Sequence, residues 1–430
     1  VNDCIHITKW EYVPASAYET DDEIRNFSYV SHAGLTLCES RGVPAYSDVP
    51  GKTYERISSD NGKTWSPWED KTKSVYTYFG EDEMFPWSYG QPLWNPVHCH
   101  TVKVYVNRLG IGGAVAAEKR YWEGKLQNEH TYLQITDADG RESLQMVRYE
   151  DGPAFVPGGA AQEYAEENLC SCAYFTFMKN GDILLPLGVP ASRCSLHGGP
   201  DWKTESPEID GQFCGLMVAR GTFNKASGTY DFTFSRPVVP NSYFVSRGVC
   251  ETTVAELQSG RILIVFRGSK AQSDAWGTRV EDHMPPVKWY IFSDDGGITF
   301  TPPMPWHFDT CEFFYSSASL SQLVRSEKNG RLYWIGNITG PDAWGNAPRW
   351  PLYICEVDEK WGVLKKDTLT VIDTKAEDES NSVEFSNFNI YQDRETGKLE
   401  MMLTKRAAYD LPDGNTAPGG IWRYTIELPD

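Results

Sequence analysis

Five times along the chain an apolar strand runs into a tight glycine turn and returns as a strand rich in β-branched and aromatic residues. The turns centre on Gly34, Gly181, Gly260, Gly330 and Gly397, as in Asn180-Gly181-Asp182-Ile183-Leu184-Leu185 and Asn329-Gly330-Arg331-Leu332-Tyr333-Trp334. Residue pairs such as Asn-Gly are the chemistry of a two-residue hairpin, which needs φ > 0. Successive intervals are 147, 79, 70 and 67 residues. The first is about two units long, so one repeat lacks its glycine, and the stretch from Thr101 to Tyr132 is where that hairpin is expected. Helical periodicity is nearly absent. A strands-only repeat of about 70 residues is too short for a domain and too long for a solenoid coil, and it suggests propeller blades. The expectation is an all-β, six-bladed β-propeller of four-stranded antiparallel blades, one domain over residues 1–430. Five or seven blades are the competing counts, and a pair of β-sandwiches leaves the even spacing unexplained. Two Gly- and Pro-rich stretches, 151–167 and 190–211, read as loops.

Two further segments share the pattern Ser-x-Asp-x-Gly-x-Thr-aromatic: Ser58 to Trp65 and Ser293 to Phe300. In such a turn the Asp accepts from backbone N–H groups and the Gly takes φ > 0, while the aromatic ring plugs the side of a sheet. The motif staples a hairpin and does no chemistry. Composition narrows the function. With 59 acidic against 40 basic residues the formal charge is −19, which excludes nucleic acid and anionic membrane surfaces as partners. No apolar run reaches the ~18 residues of a membrane helix, so no membrane insertion is expected. The chain opens at Val1 with no charged–apolar leader, which reads as a processed or trimmed form whose export signal is not visible; an extracellular or periplasmic location is the expectation. Its ten cysteines are scattered, several inside strand-like runs, and read mainly as buried thiols with room for a few bridges.

In a propeller the innermost strand of each blade starts at one mouth of the channel, and the next strand ends there. Residues at fixed offsets from the hairpin glycine therefore share a rim. Nine residues before Gly34 and Gly260 stand Arg25 and Glu251; seven after them stand Arg41 and Arg267. The matching residues elsewhere are Gly188 and Asn337. Charges at equivalent rim positions are poor core material, although solvated ion pairs are the bland explanation. In so acidic a protein, converging arginines point to an anion held by guanidinium groups.

These residues carry a resemblance to the sialidase (neuraminidase) superfamily of Asp-box propellers. Ile24-Arg25-Asn26-Phe27 through Glu39-Ser40-Arg41 resembles its first arginine strand. Cys250-Glu251 through Gly260 and on to Phe266-Arg267 resembles its Glu strand and second arginine, and Arg349 lies in the blade of the third. The resemblance implies a carboxylate clamp of Arg25, Arg267 and Arg349, with Glu251 as the charge partner. It implies Asp48 as acid/base, against an ordinary turn aspartate. The family's nucleophilic tyrosine opens the last blade, where this chain has Glu384-Phe385-Ser386. Phe385 has no hydroxyl, and Tyr315 is the candidate substitute.

Three functions follow from that departure: an exo-acting glycoside hydrolase removing a terminal acidic sugar, a polysaccharide lyase, or a glycan-binding propeller without catalysis. The expected partner is an acidic oligosaccharide or glycoconjugate, with no cofactor and no metal. His98 and His100 are further rim candidates, as a general base or simply two residues on one strand face.

Overall fold

A computed structural model describes residues 4–14, 23–46, 49–71, 84–88, 92–109, 128–147, 174–190, 214–241, 245, 248–268 and 286–430. Both Gly- and Pro-rich stretches lie almost wholly outside these, as does Asp48.

The described strands form six antiparallel sheets of four or five strands, each meandering outward from its first strand, and one two-stranded ribbon of Tyr409–Asp410 and Thr416–Ala417. Sheet one is Glu23–Tyr29, Leu37–Tyr46, Val49–Ser58 and Glu69–Asp70. In sheet two Met84–Ser88 and Leu93–Asn95 both pair with His100–Leu109, followed by Asn128–Asp137 and Glu142–Met146. Sheet three is Thr176–Phe177, Ile183–Pro190, Cys214–Asn224 and Thr229–Phe234. Sheet four is Cys250–Glu256, Ile262–Arg267, Lys288–Ser293 and Met304–Pro305. Sheet five is Gln322–Arg325, Leu332–Asn337 and Leu352–Asp358, with Val363–Leu364 and Thr370–Asp373 both on its third strand. Sheet six runs Asn389–Gln392, Leu399–Thr404 and Ile421–Glu427, and its outermost strand is His6–Val13 from the start of the chain. This is the six-bladed, four-stranded β-propeller that the glycine spacing predicts.

All five hairpin glycines have positive φ, from +69° to +88°. At Gly34 an added Cβ would meet nothing, so conformation alone selects glycine there; at Gly181 it would also lie 2.7 Å from Val97 Cβ. The hairpin that lacks a glycine is at Asn95–His100, ahead of the stretch where the spacing placed it. Cys99 takes the left-handed conformation instead, at φ +56°. Asn95 Oδ1 accepts from the N–H groups of Val97 and His98, and the Asn95 carbonyl accepts from Cys99. An Asx-type cap thus replaces the glycine.

The two Ser-x-Asp turns follow the third strands of sheets one and four and close with the same hydrogen bonds. Thr64 N donates to Asp60 Oδ1 at 2.8 Å and Thr64 Oγ1 to Asp60 Oδ2 at 2.6 Å; Thr299 repeats this on Asp295 at 2.9 and 2.6 Å. Gly62 and Gly297 each donate to the motif serine at 2.8 Å. The Thr64 hydroxyl and N–H hold the Asp60 carboxyl down at about 2, and at Asp295, against the desolvation that would raise it, the same two groups of Thr299 hold it at about 2.

The chain divides into two compact units: Val1–Lys71 with Pro285–Lys288 and Pro305–Asp430, and Thr72–Met284 with Trp289–Met304. The first has a core built on Tyr333, Leu352, Ile354, Phe385, Leu399, Met401 and Tyr424. Within it the N-terminal strand is tied to three sheets. It pairs with Ile421–Glu427, Lys9 reaches Asp373 at 2.6 Å, and Tyr12 donates to Glu39 at 2.9 Å. The second unit packs Val102, Val104, Leu133, Leu185, Met217 and Tyr230. The cysteine expectation holds where thiols sit in strands: Cys38 and Cys355 are buried and form no disulfide. It fails in turns and termini, where Cys4, Cys99 and Cys311 are exposed and free.

Candidate functional site

Arg25 and Glu251, matched by offset in the sequence, also share a structural feature. Each sits at a β-bulge in the first strand of its sheet: Arg25 is the extra residue between Ile24 and Asn26, and Glu251 with Thr252 stands against one residue between Cys250 and Thr253. Bulges re-aim side chains at strand ends and recur beside functional sites. The Arg25 side chain lies outside what the structure describes. Glu251 has φ +48°, a conformation that costs a non-glycine residue on the order of 1 kcal/mol or more. Cys250 pairs in register with Arg267, so the bulge brings Glu251 beside the last residue of the second strand. The Arg267 Nη1 to Glu251 Oε2 distance is 2.8 Å, with both side chains mostly buried. Tyr174, just ahead of the first strand of sheet three, hands its backbone N–H to Thr252 O at 2.9 Å. Burial, and then the Glu251 charge, push the Tyr174 phenol well up. This neighbour of Glu251 escaped the sequence reading, because its offset from Gly181 matches neither Arg25 nor Glu251.

In the other unit Arg349 and Glu384 meet. Arg349 precedes the third strand of sheet five, its carbonyl accepting from Phe385 N at 2.9 Å. Its Nε donates to Asn346 O at 3.1 Å, and Nη1 reaches Glu384 Oε2 at 2.9 Å and Ser386 Oγ at 3.1 Å. Those bonds leave Nη2 without a partner among the described residues. Strand alternation then corrects the comparison at Phe385. Its ring is fully buried in the core, with Lys405 Nζ 4.8 Å from the ring centre. The side chains facing Arg349 are its neighbours, Glu384 and Ser386. Glu384 is the residue that sequence reasoning missed, although the Glu-x-Ser alternation around Phe385 was its signal. Asn337, the fifth-unit rim position, is buried and holds both segments in place: Nδ2 donates to Pro351 O and Phe385 O, each at 3.1 Å. Tyr315 is exposed and bridges Thr339, its carbonyl accepting from Thr339 N at 2.9 Å.

Other candidates serve packing. Arg41 does not stand free at a rim: Nε donates to the fully buried Glu39 at 2.8 Å, as does Arg56 Nε, and Tyr12 shares the same carboxylate. Both guanidinium groups stack on Trp68, at 4.6 and 4.5 Å. Burial and the Glu39 charge push the Tyr12 phenol up to about 12. His98 and His100 belong to the Asn95–His100 hairpin, the opposite strand end from that occupied by Glu251 and Arg267 in sheet four. His100 is 2% exposed, meets Tyr230 OH at 2.6 Å, and is pushed down to about 4, chiefly by burial. No group of three His, Cys, Asp or Glu suited to a metal ion occurs among the described residues.

No protein-family model and no curated protein matches the sequence. Solved structures match it by fold. A Dyadobacter fermentans protein of unknown function aligns with TM-score 0.53 and 13% identity over 98% of this chain and 99% of that one. The NanB sialidase of Streptococcus pneumoniae aligns at 0.52 and 9%, over 97% and 70%. A Hadza microbial sialidase aligns at 0.54 and 13%, over 97% and 68%. At these identities what the chain shares with sialidases is the fold of a six-bladed β-propeller.

Proposed function

We propose that the chain acts as one propeller domain of the Asp-box, sialidase-like kind and is an exported glycoside hydrolase that removes a terminal carboxylated sugar from glycans. The observation that supports this most directly is the pairing of an arginine with a glutamate at the strand ends of the sheets: Arg267 with Glu251, and Arg349 with Glu384. Such pairs offer guanidinium donors to a carboxylate or to sugar hydroxyls, next to carboxylates able to bear the charge of an oxocarbenium-like transition state. In this reading Arg25, Arg267 and Arg349 orient the sugar carboxylate. Asp48 donates the proton to the leaving oxygen, and Glu251 stabilises the developing positive charge. With Phe385 in the core, the group attacking the anomeric carbon is Tyr315 or a water molecule.

Incubation with sialylated and uronate-containing oligosaccharides in H₂¹⁸O tests the reading. A hydrolase releases the acidic monosaccharide carrying one solvent oxygen. An unsaturated uronide with new ultraviolet absorbance would instead make the protein a lyase. Saturable binding without turnover would make it a lectin.

A further inference from the structure

Just before the innermost strand of sheet five, the chain buries hydroxyls that the protein does not satisfy. Ser319 and Ser321 are each 1% exposed, and Trp334, on the neighbouring strand, is fully buried. The Oγ atoms of both serines and the indole Nε1 have no hydrogen-bond partner among the described residues. An indole N–H only donates, whereas a hydroxyl donates and accepts. Leaving such groups dry and unpaired is costly, so each one needs an explanation.

The register brings Ser321 to the Trp334 side of the sheet, and Ser319 lies two residues before it. Leu323 pairs with Trp334 and Gln322 with Ile335, so the next rung outward sets Ser321 opposite Gly336. Side chains two apart on a strand share a face, which puts Ser321 on the Trp334 side. An added Cβ on Gly336 would lie 2.3 Å from Trp334 Cζ2 and 2.8 Å from Cε2, the carbon bonded to Nε1. The indole is therefore folded over Gly336, with the carbon that carries Nε1 among the atoms nearest the Ser321 rung. Trp306 and Phe314 close the ring side of the space, with centroids 5.6 and 5.7 Å from Trp334. From sheet four the fully buried Lys288 sends its ammonium to Ser319 O and Ser317 O. The Ser317 hydroxyl is also buried without a partner among the described residues.

We propose that this is an internal water site, in which at least one ordered water accepts from Trp334 Nε1–H and bridges to the Ser321 and Ser319 hydroxyls. A water suits the donor set: it accepts from the indole while exchanging bonds of either sense with the serines, and buried waters typically have two to four such partners. A halide would use the same donors, but it offers no donor in return. The water ties the start of the sheet-five inner strand to the Trp334 strand, on the wall that carries Tyr315 and Asn337.

The sign of one substitution tests the proposal. Removing a dry, unpaired hydroxyl relieves a penalty, whereas removing one that holds a water breaks a bond. Ser321→Ala is expected to lower the midpoint of thermal unfolding. Ser319→Ala is expected to do the same, and the double variant to lose less than the two shifts together, because both act through one water. A crystal structure grown in bromide should show a water-sized peak within hydrogen-bonding distance of Trp334 Nε1, with no anomalous signal. An unchanged or raised midpoint in S321A, a dry site, or an anomalous peak there would each overturn the proposal.

Discussion

The Arg349–Glu384 pair makes a prediction whose sign separates an anion clamp from a structural ion pair. Arg349 is 14% and Glu384 28% exposed at the side chain, so the pair is partly open to solvent. A ligand carboxylate can dock on the Nη2 edge of Arg349, which Glu384 does not use. It would then stand ~6 Å from the Glu384 carboxylate, given the width of a guanidinium fork. Taking an effective dielectric of ~40, between the protein surface and water, two like charges at ~6 Å repel by ~1.4 kcal/mol. That is about tenfold in affinity. Glu384→Gln removes the charge while its amide oxygen still accepts from Arg349. Titration calorimetry with N-acetylneuraminate, glucuronate and galacturonate, against uncharged glucose, is the assay. The expected outcome is about tenfold tighter binding of an acidic sugar by E384Q at low salt, shrinking as salt screens the repulsion, with glucose unchanged. Arg349→Ala should abolish the acid preference. Equal affinities for the acids in wild type, E384Q and R349A would refute the clamp at Arg349.

Arg267→Ala is expected to abolish turnover or binding of acidic glycans while the fold survives; unchanged affinity in the variant would remove Arg267 from the clamp. Phe385→Tyr should restore no activity and should lower the unfolding midpoint, because the new hydroxyl enters a filled core beside Lys405; covalent labelling of the introduced phenol by a mechanism-based inhibitor would contradict this. Asp60 and Asp295 have carboxyls depressed to about 2 from an ordinary 3.8. Their stabilisation is therefore complete above the unfolded value and is lost as pH falls through about 2, so Asp295→Asn should flatten the acid limb of a stability–pH curve. His100 is depressed from 6.5 to about 4, and it stays neutral in the fold while the unfolded chain takes up a proton. Wild-type stability should thus decline as pH falls from 6.5 to about 4, and His100→Gln should show less of that decline in thermal melts.

What was legible in the sequence is local. A left-handed backbone strongly favours glycine, so the five glycine hairpins, their spacing and with them the blade count could be read from residue types alone. The two Ser-x-Asp turns were legible for the same reason, since the Ser, Asp and Thr bonds that close them join residues within one octapeptide. The sixth hairpin escaped because Asn95 caps it and Cys99 supplies the positive φ, a solution with no glycine to find. Offsets from the glycines also located the bulged residues Arg25 and Glu251, because strand length fixes where a strand begins. Which partner a side chain takes is another matter, since it depends on neighbours far along the chain. Arg41 binds Glu39 together with Arg56 and Tyr12, and Arg349 finds Glu384 ahead of the next sheet. Phe385 turns inward while its neighbours turn toward that arginine. Charge and offset nominate a residue for a rim, but only the packing of one strand against the next decides whether its charge is already spent.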